Sequence, residues 1–168
     1  MFHEPSIDAV RTSLLKQKQT IAVAESVTSG FFQAALASGQ DASKFFQGGI
    51  TAYNLGQKCR HLNIEPIHAS SCNCVSEKMA QDMALNVSDM FISNWGIATT
   101  GYASTVPESD NKLFAYFAIC LDGKIKSSGR IDTKDKSPQD AQIYFVDCVL
   151  KELVTLTEKA KKETAVEA

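Results

Sequence analysis

The strongest constraint on the fold is an alternation of short apolar runs with segments of helical pattern. The apolar, β-prone run TIAVAE (20–25) is followed at once by a turn rich in Ser, Thr and Gly. The helical pattern FFQAALASG (31–39) comes directly after that turn. A strand, a tight turn and a helix in direct succession are typical of α/β proteins, in which helices cover a sheet. This part of the chain therefore predicts an α/β fold.

The rest of the chain continues this alternation. The other predicted elements are a helix at 6–18, a strand at 45–53, a short helix at 55–64, a long amphipathic helix from Ser76, strands at 95–103, 113–121 and 125–132, and a last helix from Pro138. Loops are predicted at 66–75 and 104–112, and a hairpin turn at DGK (122–124). The order predicts a single-domain three-layer α/β/α sandwich with a mixed sheet of about five strands.

Composition and charge agree with one globular domain. The 168 residues are 44% hydrophobic, and 17 Lys and Arg against 19 Asp and Glu leave a net charge of −2. We expect one domain over residues 1–157 and a charged, fraying tail over residues 158–168. A chain so near neutrality lacks the charge for general electrostatic attraction to nucleic acid, so we expect no nucleic-acid partner. A small anion stays compatible, because a few local donors suffice to bind it.

Features of targeting and redox state indicate the compartment. The longest apolar run, residues 113–121, is about half as long as a membrane helix, so we expect no membrane partner. The N-terminus lacks the basic and apolar regions of a secretory signal. Five cysteines, an odd number, are typical of reduced thiols. We therefore expect a cytoplasmic protein, and its apolar helix faces are compatible with a homo-oligomer.

The segment AESVTSG (24–30) is the most informative polar stretch of the chain. It places three hydroxyls, one carboxylate and one glycine between a predicted strand and a predicted helix. The first turn of a helix has free backbone N–H groups and a positive dipole end, which suit a phosphate or a carboxylate. Simple capping of the helix by Ser26 or Thr28 is the alternative explanation.

Tyr53 and Lys58 form a second candidate group, five residues apart after the second predicted strand. A lysine amine close to a serine hydroxyl can act as its general base when burial lowers the lysine pKa. A tyrosine hydroxyl can relay a proton or orient the nucleophile. A solvated lysine and a tyrosine at the edge of the core are the alternative.

The segment TTGYA (99–103) is a third candidate, again at the end of a predicted strand. Thr100 can place a hydroxyl, and Gly101 a backbone N–H, against the same pocket. Ordinary turn chemistry explains Thr-Thr-Gly as well. All three groups fall at predicted strand ends, where α/β sheets bind ligands, so the sequence predicts one shared site.

Residues 59–74 hold three of the five cysteines and two of the three histidines. Thiol and imidazole groups at this density can bind zinc. The spacings C-x-H and C-x-C differ from the usual C-x2-C pairs, however, and the chain needs no metal to build a core. Incidental loop cysteines are the favoured interpretation, with zinc as the alternative.

Four stretches, taken in order, resemble the C-terminal domain family of the competence/damage-inducible protein CinA, which includes bacterial nicotinamide mononucleotide amidohydrolases. Family members typically read AES-C-T-G-G, then a phenylalanine-rich G-G/V-x-x-Y segment with a Lys-bearing helix, then V-S-E, then T-G-I-A-G-P. The matching stretches are AESVTSG (24–30), FFQGGITAYNLGQK (45–58), VSEKMAQDMA (75–84) and TTGYA (99–103). The resemblance runs over about residues 6–157.

The resemblance implies an α/β/α domain that hydrolyses the amide of nicotinamide mononucleotide to nicotinate mononucleotide and ammonia, without a metal or other cofactor. It implies a hydroxyl nucleophile, which we assign to Ser26, with Lys58 as the base and Tyr53 assisting. Thr28 and Thr100 are the other hydroxyls that match the family motifs, and the choice among the three stays open.

For the ligand, the resemblance implies a small anionic molecule such as a nucleotide. Backbone N–H groups near Ser29 and Gly30 would cradle its phosphate or the developing oxyanion. The other predicted substrate-binding residues are Glu25, Thr28, Gly101 and Lys136.

The chain departs from the family pattern where the pocket is expected. Val27 replaces the family's cysteine, and Ser29 replaces a glycine, which adds a Cβ beside the ligand. STVPESDN (104–111) replaces G-P-x-G-G. Lys134-Asp135-Lys136 replaces G-D-R, so the two-pronged donor of arginine is lost. These changes support a second hypothesis, a non-catalytic nucleotide- or anion-binding regulatory homologue that keeps the fold without the chemistry.

Overall fold

The order of helices and strands follows the predicted alternation. The computed structural model describes the backbone of residues 2–166 and the side chains of residues 2–160. The elements are α1 (Glu4–Gln17), β1 (Ile21–Glu25), α2 (Phe31–Ala37), β2 (Phe46–Thr51), α3 (Leu55–Leu62), α4 (Pro66–Ser71), α5 (Glu77–Met90), β3 (Trp95–Tyr102), β4 (Leu113–Leu121), β5 (Lys124–Thr133) and α6 (Pro138–Val166). Short 3-10 turns lie at Ala42–Lys44 and Pro107–Ser109.

The five strands form one mixed sheet in the order β2-β1-β3-β4-β5. Strand β1 pairs in parallel with β2 and β3, whereas β3, β4 and β5 pair in antiparallel fashion. The three parallel strands therefore end at the same edge of the sheet, and the hairpin of β4 and β5 extends it on one side. The mixed five-stranded sheet predicted from the sequence is confirmed.

Helices cover both faces of the sheet, which confirms the three-layer architecture. Large side chains of β1 such as Ile21 and Val23 pack in the core under α1, α2 and α6. The alternate positions, Ala22 and Ala24, belong to a second core under α3, α4 and α5. Small residues on this second face bring α5 close to the sheet: a Cβ on Gly96 would collide with the Ala84 carbonyl.

The segment between α3 and α5 differs from the sequence expectation. The loop predicted at 66–75 is wrong in part, because α4 occupies its first half. Pro66 starts this helix, and the Glu65 side chain accepts hydrogen bonds from the Ile67 and His68 N–H groups. The tail predicted to fray, residues 158–168, is helical as far as Val166, and residues 167–168 lie outside the described residues.

The start of α5 was predicted correctly. The Ser76 side chain accepts a hydrogen bond from the Met79 N–H, as a serine N-cap does. Among the helices of residues 2–166, none combines the length and the apolar character needed to span a membrane.

Candidate functional site

A cavity of about 730 Å³ opens at the edge where the three parallel strands end. Its volume falls in the range of small-molecule sites, and strand ends of this kind are the usual place for them. The cavity brings together residues from all three predicted groups, which are far apart in the chain. These residues are Ser26, Tyr53, Lys58, Thr100 and Gly101.

Ser26 and Lys58 are in direct contact at the cavity wall. The Lys58 Nζ donates a hydrogen bond to the Ser26 Oγ over 2.9 Å. Both side chains are buried, with 7% of Ser26 and 2% of Lys58 exposed. Burial lowers the pKa of Lys58 below its ordinary value, and the nearby Cys74 thiol opposes that shift. A lysine with a lowered pKa is a better proton acceptor at neutral pH, which is what a serine nucleophile needs.

Local structure explains why Lys58 reaches Ser26. The Asn54 side chain caps α3 by accepting from the Gln57 N–H, so the helix begins immediately after β2 and its loop. Lys58 lies one turn before Leu62 on the buried face of α3. The amine is thereby directed at the end of the neighbouring strand β1, where Ser26 follows Glu25.

Tyr53 meets Lys58 through its backbone. Its carbonyl oxygen accepts from the Lys58 Nζ at 3.4 Å, while the side chain is 69% exposed at the rim of the cavity. The assisting role of the Tyr53 hydroxyl stays a prediction.

Glu25 is buried behind the cavity wall and binds the start of α2. Its carboxylate is fully buried and accepts from the backbone N–H groups of Gly30, Phe32 and Gln33 at 2.8–3.1 Å. The Thr28 hydroxyl donates to the same carboxylate at 2.5 Å. The positive end of α2 therefore already carries a negative partner from its own chain.

The backbone N–H groups of Ser29 and Gly30, which the sequence predicted to bind a phosphate, already have acceptors within the chain. The Ser29 N–H donates to the Ser26 carbonyl, and the Gly30 N–H donates to Glu25. Glu25, Thr28, Ser29 and Gly30 are also absent from the described lining of the cavity. The structure thus places these four predicted substrate-binding residues beside the site rather than in it.

Thr100 and Gly101 do line the cavity, but packing explains both of them. The buried Thr100 hydroxyl donates to the Cys74 carbonyl at 2.7 Å and so ties the loop after α4 to strand β3. A Cβ on Gly101 would lie too close to the Phe114 carbonyl on β4. Thr100 has no contact with Lys58 among the described hydrogen bonds, unlike Ser26.

Lys136 is not among the described residues that line the cavity. Its Nζ is 5.2 Å from the centre of the Tyr144 ring, a cation–π contact on α6. Among the described residues that line the cavity, Lys58 is the only one with a charged side chain. The sequence prediction that Lys136 contacts the substrate has no support in this geometry.

Further lining residues were not assigned to this site from the sequence. Asn73 and Cys74 come from the loop after α4, and Gln142 comes from α6, where its side-chain amide donates to the Val27 carbonyl. Burial raises the pKa of Cys74, which keeps its thiol protonated at neutral pH. Tyr102 had a signal in the sequence, because it lies two residues after Thr100 and therefore on the same face of the strand.

The cysteine- and histidine-rich segment 59–74 does not form a metal site. Within the described residues, no three His, Cys, Asp or Glu side chains come close enough together to hold an ion. The His68 Nε2 is 3.2 Å from the Ser76 Oγ and 3.8 Å from the Cys72 Sγ. The zinc alternative therefore lacks a ligand set in this part of the chain.

Comparison with known sequences identifies similar proteins. The model of the CinA C-terminal domain matches residues 3–157. A CinA-like protein of Picosynechococcus is 38% identical over 117 residues, which are 69% of this chain and 27% of that protein. A putative competence-damage inducible protein of Streptococcus pneumoniae is 42% identical over 90 residues, or 54% of this chain and 22% of that protein. The chain thus spans about a quarter of the length of these curated relatives.

Comparison with solved structures gives the same fold. A CinA superfamily protein from Klebsiella pneumoniae superposes with a TM-score of 0.86 at 21% identity, covering 92% of this chain and 97% of that one. A CinA superfamily protein from Enterobacter cloacae superposes with a TM-score of 0.83 at 25% identity, covering 94% and 96%. The family model matches residues 3–157, nearly the whole of this chain. The chain therefore belongs to the CinA C-terminal domain family.

Proposed function

We propose that the chain is an amidohydrolase that converts the amide of nicotinamide mononucleotide, or of a related nucleotide, to the acid and ammonia. The observation that carries this proposal is the 2.9 Å contact between the buried amine of Lys58 and the hydroxyl of Ser26. A buried lysine with a lowered pKa next to a serine in a cavity is the arrangement of a serine nucleophile and its base. Membership of a family that includes such amidohydrolases supports the choice of substrate.

The reaction follows from these two groups. The neutral Lys58 amine takes the proton of Ser26 while the Ser26 Oγ attacks the carbonyl carbon of the amide, forming a tetrahedral intermediate. The C–N bond then breaks, and the departing nitrogen leaves as ammonia with the proton from Lys58. Water attacks the remaining ester, again giving its proton to Lys58, and the acid is released as Ser26 recovers its proton.

The developing oxyanion needs a donor close to Ser26, and we assign this role to the Val27 N–H. Among the described residues, no acceptor contacts the Val27 N–H, in contrast to the N–H groups of Ser29 and Gly30. Val27 also lines the cavity, directly after the nucleophile in the chain. A backbone N–H in this position stabilises negative charge on the carbonyl oxygen as the tetrahedral intermediate forms.

The second candidate function is binding of a nucleotide or other anion without chemistry. It is favoured by the position of Lys136, which contacts Tyr144 instead of the cavity. A substrate phosphate would then have Lys58 as its only charged partner among the described lining residues. In this case Lys58 would carry its proton in the complex and could not serve as the base.

Ammonia release separates the two functions. The purified chain is incubated with nicotinamide mononucleotide, and ammonia is measured for the wild type and for Ser26→Ala. Loss of ammonia release in Ser26→Ala supports the amidohydrolase, with Ser88→Ala as the control, since Ser88 is buried to a similar extent on α5. A wild type that releases no ammonia, yet melts at a higher temperature with the nucleotide, is a binding protein.

A further inference from the structure

Tyr102 forms an aromatic wall of the cavity on the outer side of Thr100. Both residues belong to β3 and line the cavity, and strand geometry separates alternate residues by about 6.6 Å. Strand order also places Tyr102 and Tyr53 on opposite sides of Ser26, because β1 lies between β2 and β3. Tyr102 therefore lines the same cavity as Ser26 and Lys58, on the β3 side of Ser26.

Hydrogen bonding and ring packing hold Tyr102 in place. The Asn73 side-chain amide donates to the Tyr102 hydroxyl at 2.8 Å, which joins the loop after α4 to the end of β3. The Phe114 ring contacts the Tyr102 ring edge to face, with centres 5.5 Å apart. Phe114 is covered in turn by the Arg130 guanidinium, 3.7 Å from its centre, and Asp132 holds Arg130 in place. Because the ring is fixed at its hydroxyl and backed by a second ring, a ligand loses little side-chain freedom by binding to it.

The chemistry of this wall suits one class of ligand. The face of a tyrosine ring carries partial negative charge and attracts flat, electron-poor or cationic rings. No carboxylate lies in the described lining to compete for a cationic ring, and the buried Lys58 lies at the reactive pair. A pyridinium amide can place its ring on Tyr102 and its carboxamide on Ser26.

We infer that Tyr102 is a specificity-determining residue, which stacks on the aromatic ring of the substrate and so directs its carboxamide to Ser26. This inference rests on the proposed function for the position of the carboxamide. Stacking of the ring on Tyr102, however, is a binding property that can be measured without turnover.

Calorimetric titration tests the inference in the Ser26→Ala background, where the substrate stays intact. The probes are nicotinamide mononucleotide and ribose 5-phosphate, which has the sugar phosphate without the ring. Tyr102→Ile, a residue suited to a strand, should weaken binding of the nucleotide about fivefold and leave ribose 5-phosphate unchanged. Tyr102→Phe should bind the nucleotide within about twofold of the background. Tyr144→Ile is the control, since Tyr144 is an exposed tyrosine outside the cavity lining.

Two results would overturn the inference: unchanged nucleotide affinity in Tyr102→Ile, or nucleotide binding no tighter than that of ribose 5-phosphate. If Tyr102→Ile does not fold, fluorine NMR of the unsubstituted protein carrying 3-fluorotyrosine replaces it. The Tyr102 resonance, assigned with Tyr102→Phe, should shift with the nucleotide and stay in place with ribose 5-phosphate, and a resonance that stays in place with both contradicts stacking. A wild type that releases no ammonia while Tyr102→Ile still weakens binding would refute the proposed hydrolysis and leave the role of Tyr102 intact.

Discussion

Glu25 and Ser26 are neighbours at the end of β1, yet their side chains have opposite surroundings. Glu25 is fully buried, and its carboxylate accepts hydrogen bonds from three backbone N–H groups and the Thr28 hydroxyl. Ser26 turns to the cavity, where the Lys58 amine is its partner. Successive residues of a strand point to opposite faces, so one step along the chain separates the two environments.

The difference teaches how to distinguish a structural polar residue from a reactive one. A buried group whose hydrogen bonds are all made within the chain holds elements together, because its removal leaves several donors without a partner. A group with one ionisable partner at the wall of a cavity remains available for chemistry. The Thr28 hydroxyl belongs to the first class, since it also lies 2.7 Å from the Thr99 hydroxyl in a buried network.

Lys58→Met should have the largest effect on activity. Methionine keeps the length and apolar surroundings of the side chain but removes the proposed base, so ammonia release should fall about a thousandfold. The free energy of unfolding should stay equal or rise, because a buried amine no longer has to be desolvated. Steady-state kinetics and urea denaturation measure the two effects. Near wild-type activity in this variant would show that Lys58 is not the base.

Glu25→Ala should destabilise the fold most. The substitution leaves buried N–H groups at the start of α2 without an acceptor, so the free energy of unfolding should fall by about 3 kcal/mol in urea denaturation. Glu65→Ala is the matched control, because Glu65 caps α4 from an exposed position and its loss should cost less. Equal losses in the two variants would contradict the structural role assigned to the buried carboxylate.

The lowered pKa of Lys58 should appear in the pH dependence of stability. Between its folded-state pKa and its ordinary value of 10.5, the unfolded chain binds the proton and the folded chain does not. The free energy of unfolding should therefore rise with pH in that window, by up to about 1.4 kcal/mol per pH unit, and the penalty should be constant below it. Urea denaturation of the wild type and Lys58→Met across this range isolates the contribution. A pH-independent difference between them would mean that burial does not shift the pKa.

Thr100→Val should have only a small effect on stability and on activity. Valine matches the shape of threonine but leaves the Cys74 carbonyl without its donor, so the free energy of unfolding should fall by about 1 kcal/mol. Ammonia release should drop less than tenfold, as expected when a loop beside the site loosens. A thousandfold loss would instead identify Thr100 as the nucleophile and overturn the assignment to Ser26.

Much of the fold could be predicted because apolar periodicity reports local structure directly. Residues 113–121 were predicted as a strand and form β4, and the Ser76 cap of α5 was predicted with its position. Helix α4 was missed because it is short and its apolar residues show no period. It begins at Pro66, and the Glu65 side chain caps it by accepting hydrogen bonds from the Ile67 and His68 N–H groups.

The candidate site could be predicted in part. The ends of parallel strands meet at one edge of an α/β sheet. The motifs that follow β1 and β2 could therefore be predicted to bring Ser26 and Lys58 together. The partners of Glu25 and the contact of Lys136 with Tyr144 could not be predicted, because periodicity does not show which donor or ring a polar side chain meets, even a few residues ahead in the chain. In the sequence alone, a charged side chain close to a predicted strand end made both Glu25 and Lys136 candidates for ligand binding.

The sequence by itself determined the class of fold, the family and the groups of residues that meet at the strand ends, because these follow from local periodicity and motif order. Only the tertiary structure decided which polar residues have their hydrogen bonds made within the chain and which face the cavity. The physical reason is that a buried polar group is defined by its partners, and periodicity identifies neither the backbone N–H groups of the next helix, which Glu25 meets, nor a lysine of a separate helix, which Ser26 meets. Glu25 and Ser26 are adjacent in the chain, and their different partners assign one to the fold and the other to the site.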